Sequence, residues 1–149
     1  MMKIDSSAFK EGQPIPKKYT SEGVDLSPPL AFHDVPQDTK TLALIVDDPD
    51  APMGTFVHWL AWNIPGTTTE LPEGVMSEED KFEQGINDYK ETRYRGPCPP
   101  PGSPHRYYFK LYALDAFIDL PKGALKSDLE KAIQGHILAK AELIGTFQR

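Results

Sequence analysis

Three side chains in this sequence sit where polar groups are costly unless something uses them. Asp48 lies in the turn that ends an apolar run. His58 falls in mid-strand among Phe56, Leu60 and Trp62, and His105 opens a second aromatic-rich strand directly after a proline-rich loop. If facing strands bring the three together, the chemistry is anion binding. A carboxylate bonded to one imidazole nitrogen fixes the tautomer and is expected to leave the other nitrogen as a donor. Two such donors and nearby backbone amides make a cradle for phosphate or sulfate, which lower pH would tighten. Tyr107 would add a hydroxyl, and Phe56, Trp59 and Leu60 a desolvated wall.

Each residue also has a structural reading. His58 reads as a satisfied core histidine, His105 as strand-end polarity beside Arg106, and Asp48 as the cap of its own turn before Pro49. Tyr107 and Tyr108 read as ordinary strand aromatics. Two enzyme readings compete as well. Two histidines and a carboxylate are the set with which a metal-dependent hydrolase holds zinc or ferrous iron and activates water. Cys98 with His105 is the pair of a thiol hydrolase. An aspartate that orients a histidine serves anion binding equally well, and Cys98 lies between prolines with no base except the histidines already assigned. The expectation is therefore a non-enzymatic binding protein with no catalytic residue, cofactor or metal.

The elements that must position these groups are short and extended. With 15 prolines and 11 glycines and no repeat, the chain is punctuated into strands and turns, leaving little room for long helices. Residues 4–18 and 27–32 read as short strands and loops. Thr41 to Val46 is a buried strand that stops at the acidic turn Asp47-Asp48-Pro49-Asp50. Thr55 to Ile64 is a central strand, with Phe56, His58, Leu60 and Trp62 expected on one face and Val57, Trp59 and Ala61 on the other. Glu70 to Tyr94 is a polar excursion with a helical turn at Glu78-Glu79-Asp80-Lys81. The segment from Arg106 to Leu114 is the third strong strand. Ser127-Asp128-Leu129-Glu130 matches a capping box, and Leu129, Ile133, Ile137, Ala141 and Ile144 recur at helical spacing, so a helix is expected over 127–141, followed by a short final strand. Strands this apolar on both faces need covering, which predicts a mostly β-fold of two packed, mainly antiparallel sheets with one late helix.

Composition excludes several classes. The 149 residues suit one domain, 1–149, with a core of useful size. Net charge is −6 and no block of lysines and arginines occurs, so the footprint of a nucleic-acid binder is missing. No apolar run approaches a membrane span, and the first residues lack a secretory core, so a cytoplasmic protein is expected. A single cysteine excludes an internal disulfide.

The motifs D-P-D-A-P (Asp48 to Pro52), H-W-L-A-W-N-I-P (His58 to Pro65) and G-P-C-P-P-P-G-S-P-H-R-Y-Y-F (Gly96 to Phe109) together resemble the phosphatidylethanolamine-binding protein (PEBP) family, which includes the Raf kinase inhibitor proteins. The order and spacing look most like its bacterial and archaeal branch, and the likeness extends to the ending H-I-L-A-K-A-E-L-I-G-T-F (His136 to Phe147). The resemblance implies a PEBP-like antiparallel β-sandwich around a large central sheet, with short peripheral helical turns and a small pocket for phosphate-like anions or phospholipid headgroups. By motif position it implies Asp48, His58, His105 and Tyr107 as ligand-binding residues, with Gly96 and Pro97 at the pocket mouth. Asp50, Pro52 and Arg106 are implied as supports, Arg106 pairing with an acidic residue of the D-P-D-A-P turn, and Ala51-Pro52 as a cis bond. The implied partners are a small anionic ligand such as phosphate or a phosphoethanolamine-like group, a protease or kinase that the protein inhibits or modulates, and a second copy in a homodimer. The segment between Asp50 and His58 is shorter than in animal members, and their C-terminal extension has no counterpart, so gating and kinase regulation are not carried over.

Overall fold

The computed structural model describes residues 1–75 and 82–149, and the helical turn expected at Glu78 to Lys81 lies outside the described residues. The strands are β1 (Lys3–Asp5), β2 (Leu30–His33), β3 (Thr41–Asp48), β4 (Phe56–Pro65), β5 (Glu70–Leu71), β6 (Glu83–Gln84), β7 (His105–Leu114) and β8 (Ile137–Phe147). One helix, α1 (Lys126–Ile133), precedes β8, and Lys17–Tyr19 forms a single 3-10 turn. β1, β2 and β5 make a small antiparallel sheet, and a larger antiparallel sheet runs in the order β6-β4-β3-β7-β8.

The continuous apolar run of β3 is explained by its place. It is central in the larger sheet and every one of its residues is buried. One face carries Leu42, Leu44 and Val46 with Trp59, Tyr107, Phe109 and Leu111 against Ile4, Leu30 and Phe32 of the small sheet. The other carries Ala43 and Ile45 with Leu60, Trp62 and Leu114 beneath Leu129 and Ile133 of α1. Burying each large apolar side chain is worth about 1.5–3 kcal/mol, so both coverings contribute to holding the sheet.

Two sequence expectations are corrected here. The helix covers Lys126–Ile133, not 127–141. Gly135 takes a left-handed conformation (φ 84°), a turn that glycine makes without steric cost, and from Ile137 the chain pairs with β7 along its whole length. Leu129 and Ile133 are the buried stripe of the helix, whereas Ile137, Ala141 and Ile144 belong to β8. The cap is shifted too: Leu125 is the N-cap residue, and its N–H donates to the Asp128 carboxylate at 3.1 Å, so neither Ser127 nor Glu130 closes the helix. The second correction concerns the faces of β4. Val46 pairs with Trp59 but Asp47 with Val57, leaving His58 as the extra residue of a β-bulge. The bulge breaks strict alternation. Val57 joins Leu60 and Trp62 on the helix side, while the His58 ring packs 5.3 Å from Tyr107 on the side of Trp59 and Ala61.

Candidate functional site

Because β3 lies between β4 and β7 and runs antiparallel to both, its last residues meet the first residues of each neighbour. Asp48 pairs with Phe56, and Asp47 with Tyr108. Asp48, His58, His105 and Tyr107 therefore gather at one end of the large sheet, where they line a cavity of about 500 Å³. Phe56 and Tyr89 form its aromatic side, the turn from Ala51 to Thr55 one lip, and Cys98, Pro99 and Pro100 the other. A larger recess of about 780 Å³ opens between the small sheet and β8, but no buried polar side chain lines it.

Each histidine is held by the same nitrogen. His105 Nδ1 is 2.7 Å from Asp48 Oδ2, and Asp48 Oδ1 accepts the N–H of Asp50 at 2.8 Å. Asp48 thus caps its turn, as the structural reading has it, and orients the imidazole as well. His58 Nδ1 donates to the Arg95 carbonyl at 2.7 Å, while the Arg95 N–H donates back to the His58 carbonyl at 3.2 Å. A carbonyl can only accept, so Nδ1 of His58 carries the proton. A carboxylate likewise selects the Nδ1–H form of His105. Each ring keeps Nε2 as its remaining nitrogen, and in the neutral ring Nε2 is a lone pair. This corrects the expectation of two standing donors: Nε2 donates only once the ring is protonated. Burial pushes the His58 pKa below its ordinary value, against the opposing pull of the Arg95 carbonyl and the Asp48 charge. Among the described residues no lysine or arginine lines the cavity.

The Tyr107 hydroxyl feels the Asp48 charge but meets no partner at hydrogen-bond geometry among the described residues. Burial foremost, then that charge, pushes its pKa well up, so it stays a neutral donor. Tyr89 packs edge-on against Phe56 and His58 at centroid distances of 4.8 and 5.8 Å, with the Arg95 guanidinium 4.8 Å from its ring centroid. Burial pushes its hydroxyl up to about 12.

The supports divide. Arg106 Nε and Nη2 grip the two Asp50 oxygens at 2.9 and 2.8 Å, and the Arg106 N–H adds a third bond, which is the acidic partner expected for this arginine. Pro52 lines the cavity, and Ala51-Pro52 is trans, not cis, the ordinary state of an X-Pro bond. Gly96 and Pro97 do not line the cavity and are corrected from mouth to anchor. The Gly96 N–H donates to Asp25 Oδ1 at 2.7 Å, and a Cβ built there would stand 2.0 Å from the Tyr19 carbonyl oxygen, so only glycine lets the loop approach so closely. Pro97 accepts from the Ser21 N–H at 3.0 Å. Leu60 and Trp59 leave the expected wall: Leu60 faces α1, and Trp59 is a core residue whose Nε1 donates to Gln84 at 2.6 Å.

Sequence reasoning missed the frame behind His58. Asn87 is buried, and its Nδ2 donates to the carbonyls of His58 and Arg93 while its Oδ1 accepts from the N–H groups of Tyr89 and Glu91. Asp88 accepts the Val57 N–H at 2.7 Å, and Arg95 binds Asp25 at 2.9 Å and pairs with Glu91. The available signal was the cluster Asn87-Asp88-Tyr89 inside a polar stretch, since Asx residues organise loops through backbone bonds. The enzyme alternatives find no assembly: among the described residues no group of three or more His, Cys, Asp or Glu side chains is arranged to hold a metal ion. Cys98 Sγ is met by Arg149, not by a histidine.

Comparison with known proteins follows the same outline. The family model for phosphatidylethanolamine-binding protein matches residues 5–148. A UPF0098 protein of Pyrococcus horikoshii is 51% identical, covering 97% of this chain and 75% of that protein. A UPF0098 protein of Methanothermobacter thermautotrophicus is 47% identical, covering 99% of each. The crystal structure of a phosphatidylethanolamine-binding protein homologue from Chlamydia trachomatis superposes with a TM-score of 0.93 at 44% identity, covering 99% of this chain and 97% of that one. An Escherichia coli member of the mammalian family superposes at 0.92 with 29% identity, covering 99% and 98%.

Proposed function

This chain belongs to the phosphatidylethanolamine-binding protein family, and we propose that it is a non-enzymatic binding protein whose cavity at the end of the large sheet holds a phosphate-like group, free or as a phospholipid headgroup. The observation that carries the reading is the pair of imidazoles, each pinned through Nδ1, that line one cavity together with Tyr107, whose buried hydroxyl has no partner among the described residues. A singly protonated phosphate satisfies this set. Its P–OH donates to one neutral Nε2, its charged oxygens accept from Tyr107 and from the other ring once protonated, and Asp48 holds His105 in place. With no lysine or arginine among the described residues that line the cavity, the positive charge comes from protons taken up on binding, so affinity rises as pH falls.

The test is a titration with phosphate and phosphoethanolamine, following the His58 and His105 ring resonances by NMR from about pH 5 to 8. Saturable shifts of both rings support the reading, and no response from either overturns it. Within the same proposal residues 1–149 act as one domain. No helix among the described residues is long and apolar enough to cross a membrane. A cytoplasmic location and a homodimer are checked by fractionation and sedimentation velocity. A use against a protease or kinase would act through turn 51–55 and residues 98–100, which line the cavity, and inhibition assays with and without phosphoethanolamine address it.

A further inference from the structure

The lip opposite the D-P-D-A-P turn carries the chain's one cysteine, and nothing in the anion chemistry uses it. Cys98 is exposed while Pro97 and Pro99 on either side are buried. Their carbonyls are tied down, Pro97 by the Ser21 N–H at 3.0 Å and Pro99 by Arg149 Nη1 at 3.3 Å. The thiol is therefore presented at the cavity by a fixed backbone. Arg149 Nη1 also lies 3.6 Å from Sγ, so the same side chain that ties the Pro99 carbonyl holds the sulfur in place. Tyr107 lines the same cavity, is only 1% exposed, and its hydroxyl has no partner among the described residues, so an unmet polar group borders a space with room for several heavy atoms.

We propose that Cys98 is a thiol-modification site that takes a low-molecular-weight disulfide, and that the attached group fills the cavity in place of its anion. The second half rests on the anion-binding reading, and the first does not. In the step, the Cys98 thiolate attacks one sulfur of R–S–S–R, the Sγ–S bond forms, the original S–S bond breaks, and the departing thiolate takes up the proton that Cys98 lost. A thiol reductant reverses it. With no second cysteine in the chain, the adduct cannot resolve into an internal disulfide and persists until reduced.

Glutathione disulfide is the probe, with intact mass, ring NMR and phosphate titration as readouts on the full chain. The expected result is one adduct per chain and none in Cys98→Ser, shifts of both His58 and His105 ring resonances in the adduct, and phosphate binding at least about tenfold weaker until dithiothreitol restores it. In Cys98→Ser, adding glutathione disulfide should leave the phosphate titration as it was without it. Failure of the folded chain to form an adduct that the denatured chain forms readily overturns the proposal, as does an adduct that moves neither ring. An adduct with phosphate affinity within twofold of the reduced protein's overturns the competition. If reduced protein binds no phosphate at all, the anion-binding reading falls, while an adduct that moves both rings still upholds the modification site.

Discussion

Asp47 and Asp48 are neighbours at the end of β3, and strand geometry sends them to opposite faces of the same sheet. Asp47 is sealed under α1 with its side chain 1% exposed, and Oδ2 receives Lys126 Nζ at 2.9 Å and Lys110 Nζ at 3.1 Å. Asp48 is almost as buried, at 4%, yet its partners are a backbone N–H and an imidazole, and it opens on a cavity. One carboxylate is met by two ammonium groups. The other is met by a neutral hydrogen-bond donor of the main chain and by an imidazole. Identical residue types at adjacent positions thus become part of a structural ion cluster and of a candidate site, and the partners decide which.

The largest expected effect comes from stripping Asp47 of its cations. Lys110→Met with Lys126→Met leaves a buried carboxylate unpaired and should cost about 3–5 kcal/mol of stability, read by urea unfolding. Adding Asp47→Leu should recover most of it, because a buried ion cluster can be replaced by apolar packing once every charge is gone. If the cluster is purely structural, phosphate shifts of the His58 and His105 rings survive in the triple variant. Their loss would show that the two faces are coupled.

Asp48→Asn should do the reverse. The amide oxygen can still accept from the Asp50 N–H, so the stability loss should be about 1 kcal/mol. The other end of the amide now offers N–H to His105 Nδ1, where the carboxylate accepted. His105 should therefore move from its Nδ1–H to its Nε2–H tautomer, visible in ring nitrogen shifts, and phosphate affinity at low pH should fall by about tenfold. A ring that stays in the Nδ1–H form would mean that Asp48 does not set the tautomer.

The two aspartates also show what the sequence could reveal. Strands β3, β4 and β7 were legible because apolar runs and abrupt polar stops mark strands that must be buried, and Asp48, His58 and His105 stood out as costly in such places, whereas their convergence waited on the strand pairing. The bond that pins His58 was not legible, because its partner is the Arg95 main-chain carbonyl and every residue has one. The bulge was hidden for a related reason: one extra residue leaves no mark in an apolar alternation, yet it decides which face His58 joins. The true end of α1 was signalled by Gln134-Gly135, but the apolar spacing of Ile137, Ala141 and Ile144 outweighed it until β7 supplied strand pairing. Gly96 and Pro97 were assigned by motif position, and a motif records a loop's sequence without its depth.

His58 sharpens the comparison through pH. Its folded pKa is lowered by burial from the ordinary 6.5, so the unfolded chain binds more protons below that value. Its contribution is therefore undiminished above about pH 6.5, and stability declines as pH falls toward the lowered folded pKa. Phosphate affinity should move the opposite way over the same window, because protonated His58 is the donor form. Thermal unfolding without phosphate should show the decline, and saturating phosphate should flatten it. A decline of equal size in His58→Gln would assign it to other groups.

The smallest effect belongs to the pair outside the cavity. The Asp50 carboxyl is held down to about 2, first by the Arg106 hydrogen bonds, so its contribution is present above about pH 3.8 and is lost as pH falls through about 2. Arg106 is 53% exposed, and solvent screening leaves the pair worth below about 1 kcal/mol, bidentate geometry notwithstanding. Arg106→Gln should lower stability by that amount at neutral pH and by progressively less as pH falls through about 2. Because the Arg106 main-chain N–H still grips Asp50 Oδ2, the turn that carries Asp48 should stay in place, and phosphate affinity should change less than twofold. A larger loss of binding would mean that the guanidinium field reaches the cavity, which would make Asp50 and Arg106 part of the site that Asp48 serves instead of its outer brace.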